Sequence, residues 1–207
     1  MTARRVILLR HGQTDYNVAR RVQGNIDIAL NAAGIAQASA AADSLAAYLE
    51  GHEVQVVSSP LGRAVVTAQA VADRLGVELL IDEAFRERSF GRFEGLDDAA
   101  GSAQYPEEWA LWRSDGEAPH IGIEAREQVG ERMAAGIERY AAELPAEAVL
   151  VVVSHGSAIT QGLRLLLGIH DCEWPVLRGL DNCHYSELQG GTFAAGQGWR
   201  LFSHNCS

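Results

Sequence analysis

Short apolar runs stand at Val6–Leu9, Val54–Val57, Val77–Ile81 and Val149–Val153, each rich in branched residues and largely without polar alternation. A run that short and apolar on both faces suits a strand of a parallel sheet buried on either side. Between the runs, apolar residues recur at helical spacing. Asn31 can cap a helix through the alanine-rich stretch to about Glu50, and Pro60 can open another from Leu61 to Leu75, ended by Gly76. Val129, Met133, Ile137, Tyr140 and Leu144 form one stripe, and a further apolar helix follows Ser157 to Leu167 with Gly168 as its stop. Strands alternating with helices predict an α/β fold with a mostly parallel sheet.

Two stretches break this rhythm. From Arg88 to Ile123 the chain carries Gly91, Gly95, Gly101, Gly116, Pro106 and Pro119 around Trp109 and Trp112, which predicts a partly helical excursion of the lid or substrate-loop type. At the tail, Asn182–Leu188 and Gly198–Ser203, on either side of Gly190-Gly191, predict a hairpin or two edge strands. With no internal repeat and no low-complexity linker, residues 1–207 are expected to form one domain.

Composition narrows the partners. The formal charge of −10 at pH 7 argues against general affinity for nucleic acid or an anionic membrane, so an anionic ligand must meet a local cationic cluster. All 17 basic residues are arginine, which removes Schiff-base and P-loop lysine chemistry. Cys172, Cys183 and Cys206 show no C-x-x-C spacing, so neither a disulfide framework nor a zinc site is suggested, and a reducing cytoplasm fits best. The first apolar run ends at Arg10, too soon for a signal-peptide core, and no segment approaches the roughly 18 apolar residues of a membrane helix.

Three of the expected strands end in residues of one chemical kind: Arg10-His11-Gly12, Ser58-Ser59-Pro60-Leu61-Gly62-Arg63 and Ser154-His155-Gly156-Ser157. In a parallel sheet the carboxyl ends of neighbouring strands share one edge, so these segments can converge on a pocket for a dianion. Arginine forks match phosphate oxygens, and helices starting after Pro60 and Gly156 can add backbone N–H groups. One histidine, held as the neutral tautomer, can attack phosphorus; the second, kept protonated by the anion, would stabilise charge. A leaving alkoxide still needs a proton, for which Glu87 is the first candidate and Glu94 the second. Asp15, Asp27 and Glu124 read as surface carboxylates with little to suggest a metal, and His52, His120, His170, His184 and His204 as bystanders.

Any one of these triplets alone is commonplace. In order, Leu8-Leu9-Arg10-His11-Gly12, Asn17-x3-Arg21-x-Gln23-Gly24, Ser59-Pro60-Leu61-x-Arg63-Ala64-x2-Thr67-Ala68, Glu87-x2-Phe90-Gly91-x2-Glu94-Gly95 and Ser154-His155-Gly156 resemble the histidine phosphatase superfamily, also called phosphoglycerate mutase-like. The resemblance implies a three-layer α/β/α sandwich and a nucleophilic His11. It implies that Arg10, Arg63 and His155 bind the phosphoryl group, that Asn17 adds a donor, and that Glu87 is first acid and then base. Arg21, Gln23 and Gly24 match the family's loop over phosphate or substrate, and Gly156 would contribute there too. No metal and no cofactor are implied; the ligands would be a small phosphate ester and inorganic phosphate.

The chain length and the Phe90-Gly91-Arg92-Phe93-Glu94-Gly95 form resemble phosphatase members, against the alternatives of a cofactor-dependent phosphoglycerate mutase and a non-catalytic phospholigand-binding protein. Arg10-His11-Gly12-Gln13-Thr14-Asp15-Tyr16-Asn17, Ala118-Pro119-His120, Trp174-Pro175 and Trp199-Arg200-Leu201 resemble an actinobacterial branch acting on glucosyl-3-phosphoglycerate. The implied substrate is that compound or a related sugar or organic-acid phosphate. Gly122-Ile123-Glu124-Ala125, where many members have G-G-E-S, and Ala29, where proline is usual, depart from the pattern. Trp109, Trp112 and Trp174 could line a pocket or an interface, so a homodimer is one expectation.

Overall fold

The computed structural model describes residues 3–169, 177–193 and 196–207. In chain order its elements are β1 (Arg5–Arg10), the one-turn α1 (Asp15–Val18), α2 (Ala32–Tyr48), β2 (Val54–Ser58), α3 (Gly62–Leu75), β3 (Leu79–Ile81), α4 (Asp98–Gln104) and α5 (Pro106–Asp115). There follow α6 (Arg126–Glu143), β4 (Val149–Ser154), α7 (Gly156–Leu166), β5 (Tyr185–Phe193) and β6 (Gly196–Cys206). Single 3-10 turns lie at Glu83–Phe85, Gly91–Phe93 and Pro119–Ile121.

The strands form one sheet in the order β3-β2-β4-β1-β5-β6. β1 to β4 run parallel, while β5 is antiparallel to β1 and β6 to β5. Side chains alternate across the pleat, and each face buries its own helix pair. Val6 and Leu8 of β1 pack with Leu150 and Val152 of β4 beneath α6 and α7, through Val129, Met133, Ile137, Ile159 and Leu163. Ile7 and Leu9, with Val149, Val151 and Val153, lie beneath α2 and α3 and meet Ala42, Leu45, Ala68 and Val71. The result is a three-layer α/β/α sandwich with an antiparallel hairpin closing one edge.

The helix signals in the sequence act as expected. The Asn31 side chain accepts the Gly34 N–H at the start of α2, and Gly76 closes α3 in the left-handed conformation. The glycine pair in the tail does something different from marking a turn. Gly190 and Gly191 lie inside β5, which continues to Phe193; a Cβ on Gly190 would press on the ring of its cross-strand partner Trp199 at 3.0 Å. The strand expected from Val77 begins only at Leu79. Burial pushes the Cys183 thiol up to about 12, and both Cys183 and Cys206 are unpaired. Cys172, His170, Trp174 and Pro175 lie outside the described residues.

A close backbone crossing sets where β1 delivers its terminal residues. A Cβ on Gly34, in the first turn of α2, would overlap the Gln13 carbonyl oxygen. Alanine in a helix is worth up to about 1 kcal/mol over glycine, whereas overpacking costs about 1–3 kcal/mol. Gly34→Ala is therefore expected to lower the unfolding free energy by about 1–2 kcal/mol in urea titrations, and a stabilised variant would show that the crossing imposes no constraint.

Candidate active site

Register brings the three strand ends together before any side chain is considered. Arg10 stands opposite Ser154 across the β1–β4 ladder, and Val153 opposite Ser58 across β4–β2. The His11 N–H then donates to the Ser154 carbonyl at 3.0 Å and the Ser59 N–H to the Val153 carbonyl at 2.9 Å, so the first loop residues leave the sheet still hydrogen-bonded. Above them is a cavity of about 270 Å³ lined by Arg10, His11, Asn17, Arg21, Gln23, Gly24, Arg63, Glu87 and Gly156. His155 stands beside it, its ring edge-on to His11 with 5.1 Å between centroids.

His11 is 2% exposed. Its Nδ1 lies 2.7 Å from the Gly12 carbonyl oxygen, which can only accept, so Nδ1 carries the proton and Nε2 keeps its lone pair. Burial, then the charges of Arg63 and Arg10, pushes its pKa well below the ordinary 6.5, against the weaker pull of that carbonyl. His155 is pushed down the same way, by burial first and then by His11, Arg63 and Arg10. On their own surroundings both imidazoles thus favour the neutral form, and the protonation expected of the second histidine depends on a bound anion. Two guanidiniums in a buried site oppose a third cation.

Both guanidiniums are anchored at one end and unmet at the other. Arg63, 1% exposed, donates through Nη1 to the Ile26 carbonyl and through Nη2 to the Gly24 carbonyl, both at 2.7 Å. Arg10 donates through Nη1 to the Leu180 carbonyl. Arg10 Nε, Arg63 Nε and His155 Nδ1 are buried with no partner among the described residues. His155 Nε2 is 2.7 Å from the Ser59 hydroxyl, which also accepts the Leu61 N–H. Since buried donors are nearly always met, the two unmet guanidinium N–H groups of residues that line one cavity indicate an acceptor that enters it.

Asn17 turns its amide to the same place. Its Oδ1 is engaged by the Thr14 N–H at 3.0 Å and Asn182 Nδ2 at 3.3 Å, which leaves Nδ2 as the donor for the cavity. Asn182 also donates to the His11 carbonyl at 2.9 Å. Gln23 accepts the Thr14 hydroxyl, and Arg21 stacks over Tyr16.

Glu87 and Glu94 have different tasks. Glu87 Oε1 accepts the N–H groups of Ala158 and Arg88, both at 2.8 Å, and Oε2 that of Ser157 at 3.2 Å. The first turn of α7 therefore holds this carboxyl, and Asp27 likewise takes the Gly62 N–H at the start of α3, so those helix termini are less available to an anion than expected. Glu94 does not line the cavity. Its Oε1 accepts from the N–H of Asn25 at 3.1 Å and Phe90 at 3.0 Å, and it packs where Gly24, at φ +52°, would carry a Cβ. It braces the loop that supplies the two carbonyls on Arg63.

The Arg88–Ile123 excursion has its own small core of Phe93, Trp109, Ala118, Ile121 and Ile123, and it presents Phe90 and Trp112 to the cavity. Trp109 is buried there, not at an interface. Glu124 is no surface carboxylate: it pairs with Arg132 and accepts the Ser89 N–H. Burial raises its pKa, but the Arg132 hydrogen bond, the Ser89 N–H and the charges of Arg132 and Arg88 outweigh this and lower it. Among the described residues no group of His, Cys, Asp or Glu is placed to hold a metal ion, and no helix is long and apolar enough to cross a membrane.

Two consequences can be measured. The unfolded chain takes up protons on its histidines near pH 6.5, whereas buried His11 and His155 resist until lower pH, so stability falls as pH drops below about 6.5. His155→Gln should flatten that decline between about pH 7.5 and about pH 5.5 in urea unfolding; an unchanged slope would remove His155 from the account. Glu94→Ala leaves two backbone donors unmet, with an expected cost of about 1–3 kcal/mol. By loosening Arg63 it should also weaken inorganic phosphate about three- to tenfold by calorimetric titration.

Comparisons with known proteins point the same way as this geometry. The family model of the histidine phosphatase superfamily (branch 1) matches residues 6–206. Glucosyl-3-phosphoglycerate phosphatase of Mycobacterium tuberculosis (strain ATCC 25618 / H37Rv) is 36% identical over 219 residues, covering 100% of this chain and 96% of that protein. A solved mycobacterial glucosyl-3-phosphoglycerate phosphatase in complex with VO3 superposes with a TM-score of 0.87 at 36% identity, covering 99% of this chain and 100% of that one. The same enzyme with inorganic phosphate gives a TM-score of 0.85 at 35% identity, covering 99% and 98%. The chain belongs to the histidine phosphatase superfamily, and within it this protein is a phosphatase.

Proposed function

We propose that this phosphatase hydrolyses a small phosphate monoester through a phosphohistidine on His11, without metal, and that its substrate is glucosyl-3-phosphoglycerate or a related sugar or organic-acid phosphate. One observation carries the reading: His11 is fixed as its Nδ1–H tautomer beside the unmet buried Nε–H groups of Arg10 and Arg63. The substrate class is supported by the full-length likeness to the mycobacterial enzymes. A cavity of about 270 Å³, at the small end of ligand sites, favours a small ester.

The chemistry runs in two displacements. His11 Nε2 forms a bond to phosphorus as the bond from phosphorus to the ester oxygen breaks, and Glu87 gives its proton to the departing alkoxide. Arg10, Arg63, Asn17 Nδ2 and His155 donate to the equatorial oxygens, where charge accumulates. His155 does so as a neutral donor, or as a cation once the dianion offsets the arginines. Water then attacks phosphorus, the bond from nitrogen to phosphorus breaks, and Glu87 recovers a proton. Oε1 of Glu87 is held by two short hydrogen bonds, which leaves Oε2, with one longer contact, as the oxygen that exchanges the proton.

His11→Ala should abolish an acid-labile phosphoenzyme and lower turnover of p-nitrophenyl phosphate by about a thousandfold or more, while EDTA leaves the unaltered enzyme active. Full turnover in that variant would sink the mechanism. In a panel of glucosyl-3-phosphoglycerate, 3-phosphoglycerate, phosphoserine and α-ribazole phosphate, the first should lead in kcat/KM by about tenfold, equivalent to about 1.4 kcal/mol of transition-state binding. Conversion of 3-phosphoglycerate to 2-phosphoglycerate with little free phosphate would favour a mutase instead.

A further inference from the structure

Glu87 lies on a segment without regular structure, between the 3-10 turns Glu83–Phe85 and Gly91–Phe93. A carboxyl that must move a proton needs its backbone fixed to within a fraction of an ångström, and no strand or helix does this here. The Arg132 guanidinium does it instead. From α6, Nη1 donates to the carbonyls of Ala84 at 2.9 Å and Arg86 at 2.7 Å, and Nη2 donates to the carbonyl of Glu87 itself at 3.1 Å. On its other edge Nε donates to Glu124 Oε1 at 2.8 Å and Nη2 to Oε2 at 3.0 Å.

Those bonds use all five N–H donors of the fork, a match that lysine's three donors on one nitrogen cannot reproduce. The base is rigid: Val129, Met133 and Ile137 of α6 are fully buried in the core around Arg132. Glu124 closes the other side. Its N–H donates to the Ser89 carbonyl at 2.9 Å, its Oε2 accepts the Ser89 N–H at 3.1 Å, and its carbonyl accepts Arg88 Nε at 2.7 Å. The two ends of the excursion that carries Phe90 and Trp112 are thereby tied to each other and to the backbone of Glu87.

We propose that Arg132, with Glu124, is the positioning clamp for the Glu87 carboxyl, and that it sets proton delivery to the leaving group without taking part in phosphate binding. This rests on the reading of Glu87 as general acid. Neither residue lines the cavity, so both act on the reaction indirectly, through the Glu87 backbone and the ends of the excursion.

The test compares esters whose leaving groups differ in their need for a proton. p-Nitrophenolate departs unaided, whereas the alkoxide of β-glycerophosphate does not, and kcat/KM reports the step that forms the phosphoenzyme for either ester. Loss of a general acid costs on the order of 10²–10⁴-fold. A loosened acid in Arg132→Lys should therefore cost at least about tenfold more on β-glycerophosphate than on p-nitrophenyl phosphate. Affinity for inorganic phosphate should be unchanged.

The milder Glu124→Gln should show the same split at about threefold, which keeps the inference open to test if the lysine variant misfolds. Addition of ethylguanidinium to Arg132→Ala should narrow the split. Equal losses on both esters, or weakened phosphate binding, would overturn the clamp. Glu87→Gln serves as the control. If it shows the leaving-group split and the Arg132 and Glu124 variants do not, the clamp alone is wrong; if it shows none, the general-acid reading of Glu87 fails first.

Discussion

Two arginine side chains at the carboxyl edge of a parallel sheet, Arg63 buried and Arg10 half-buried, dominate this structure. Guanidiniums removed from water are costly unless their donors are met, and Arg10 and Arg63 are met on one side only. Much of the surrounding architecture supplies that side. The Gly24–Ile26 loop offers two carbonyls to Arg63, the segment before β5 offers Leu180 to Arg10, and Glu94 and Asn182 hold those loops or their neighbours in place. The half left unmet is the part that a phosphoryl group fits. The cost of holding two cations there is lowered when an anion arrives, which gives an anion a local attraction in a protein whose overall charge is negative.

The same pair of charges explains the histidines. Placed next to guanidiniums and away from water, His11 and His155 favour neutrality, and a neutral His11 is the nucleophilic form. The Gly12 carbonyl then fixes which nitrogen is free, so one short backbone contact and one electrostatic environment together leave Nε2 with its lone pair.

Much of the fold was legible in the sequence, because buried parallel strands and capped helices leave local signatures. Three of the four apolar runs, Asn31, Gly76 and the stripe on α6 each state a local preference that the packing does not override, and the fourth is shortened to Leu79–Ile81. The strand ends were legible too, since parallel pairing alone brings them to one edge. What escaped depends on long-range partners with no local signature. Glu124 looked like a surface carboxylate because nothing near it in sequence announces Arg132, and Glu94 looked like a second acid because its bonds to Asn25 and Phe90 form only when two loops meet. Gly190-Gly191 suggested a break between strands, yet those glycines lie within β5, where Gly190 makes room for the Trp199 ring. Phe90, Trp112, Gly179 and Leu180 reach the cavity from segments whose packing no periodicity describes.

The contact between Gly24 and Glu94 has a consequence for how this chain can change. Any side chain at position 24 collides with the carboxylate at 94, and any residue at 94 without an acceptor oxygen there leaves the Asn25 and Phe90 amides unmet. Neither position can drift alone without disturbing the cradle of Arg63. The two sites form one unit of inheritance, and a descendant that reshapes its substrate loop must replace both in concert or leave both untouched.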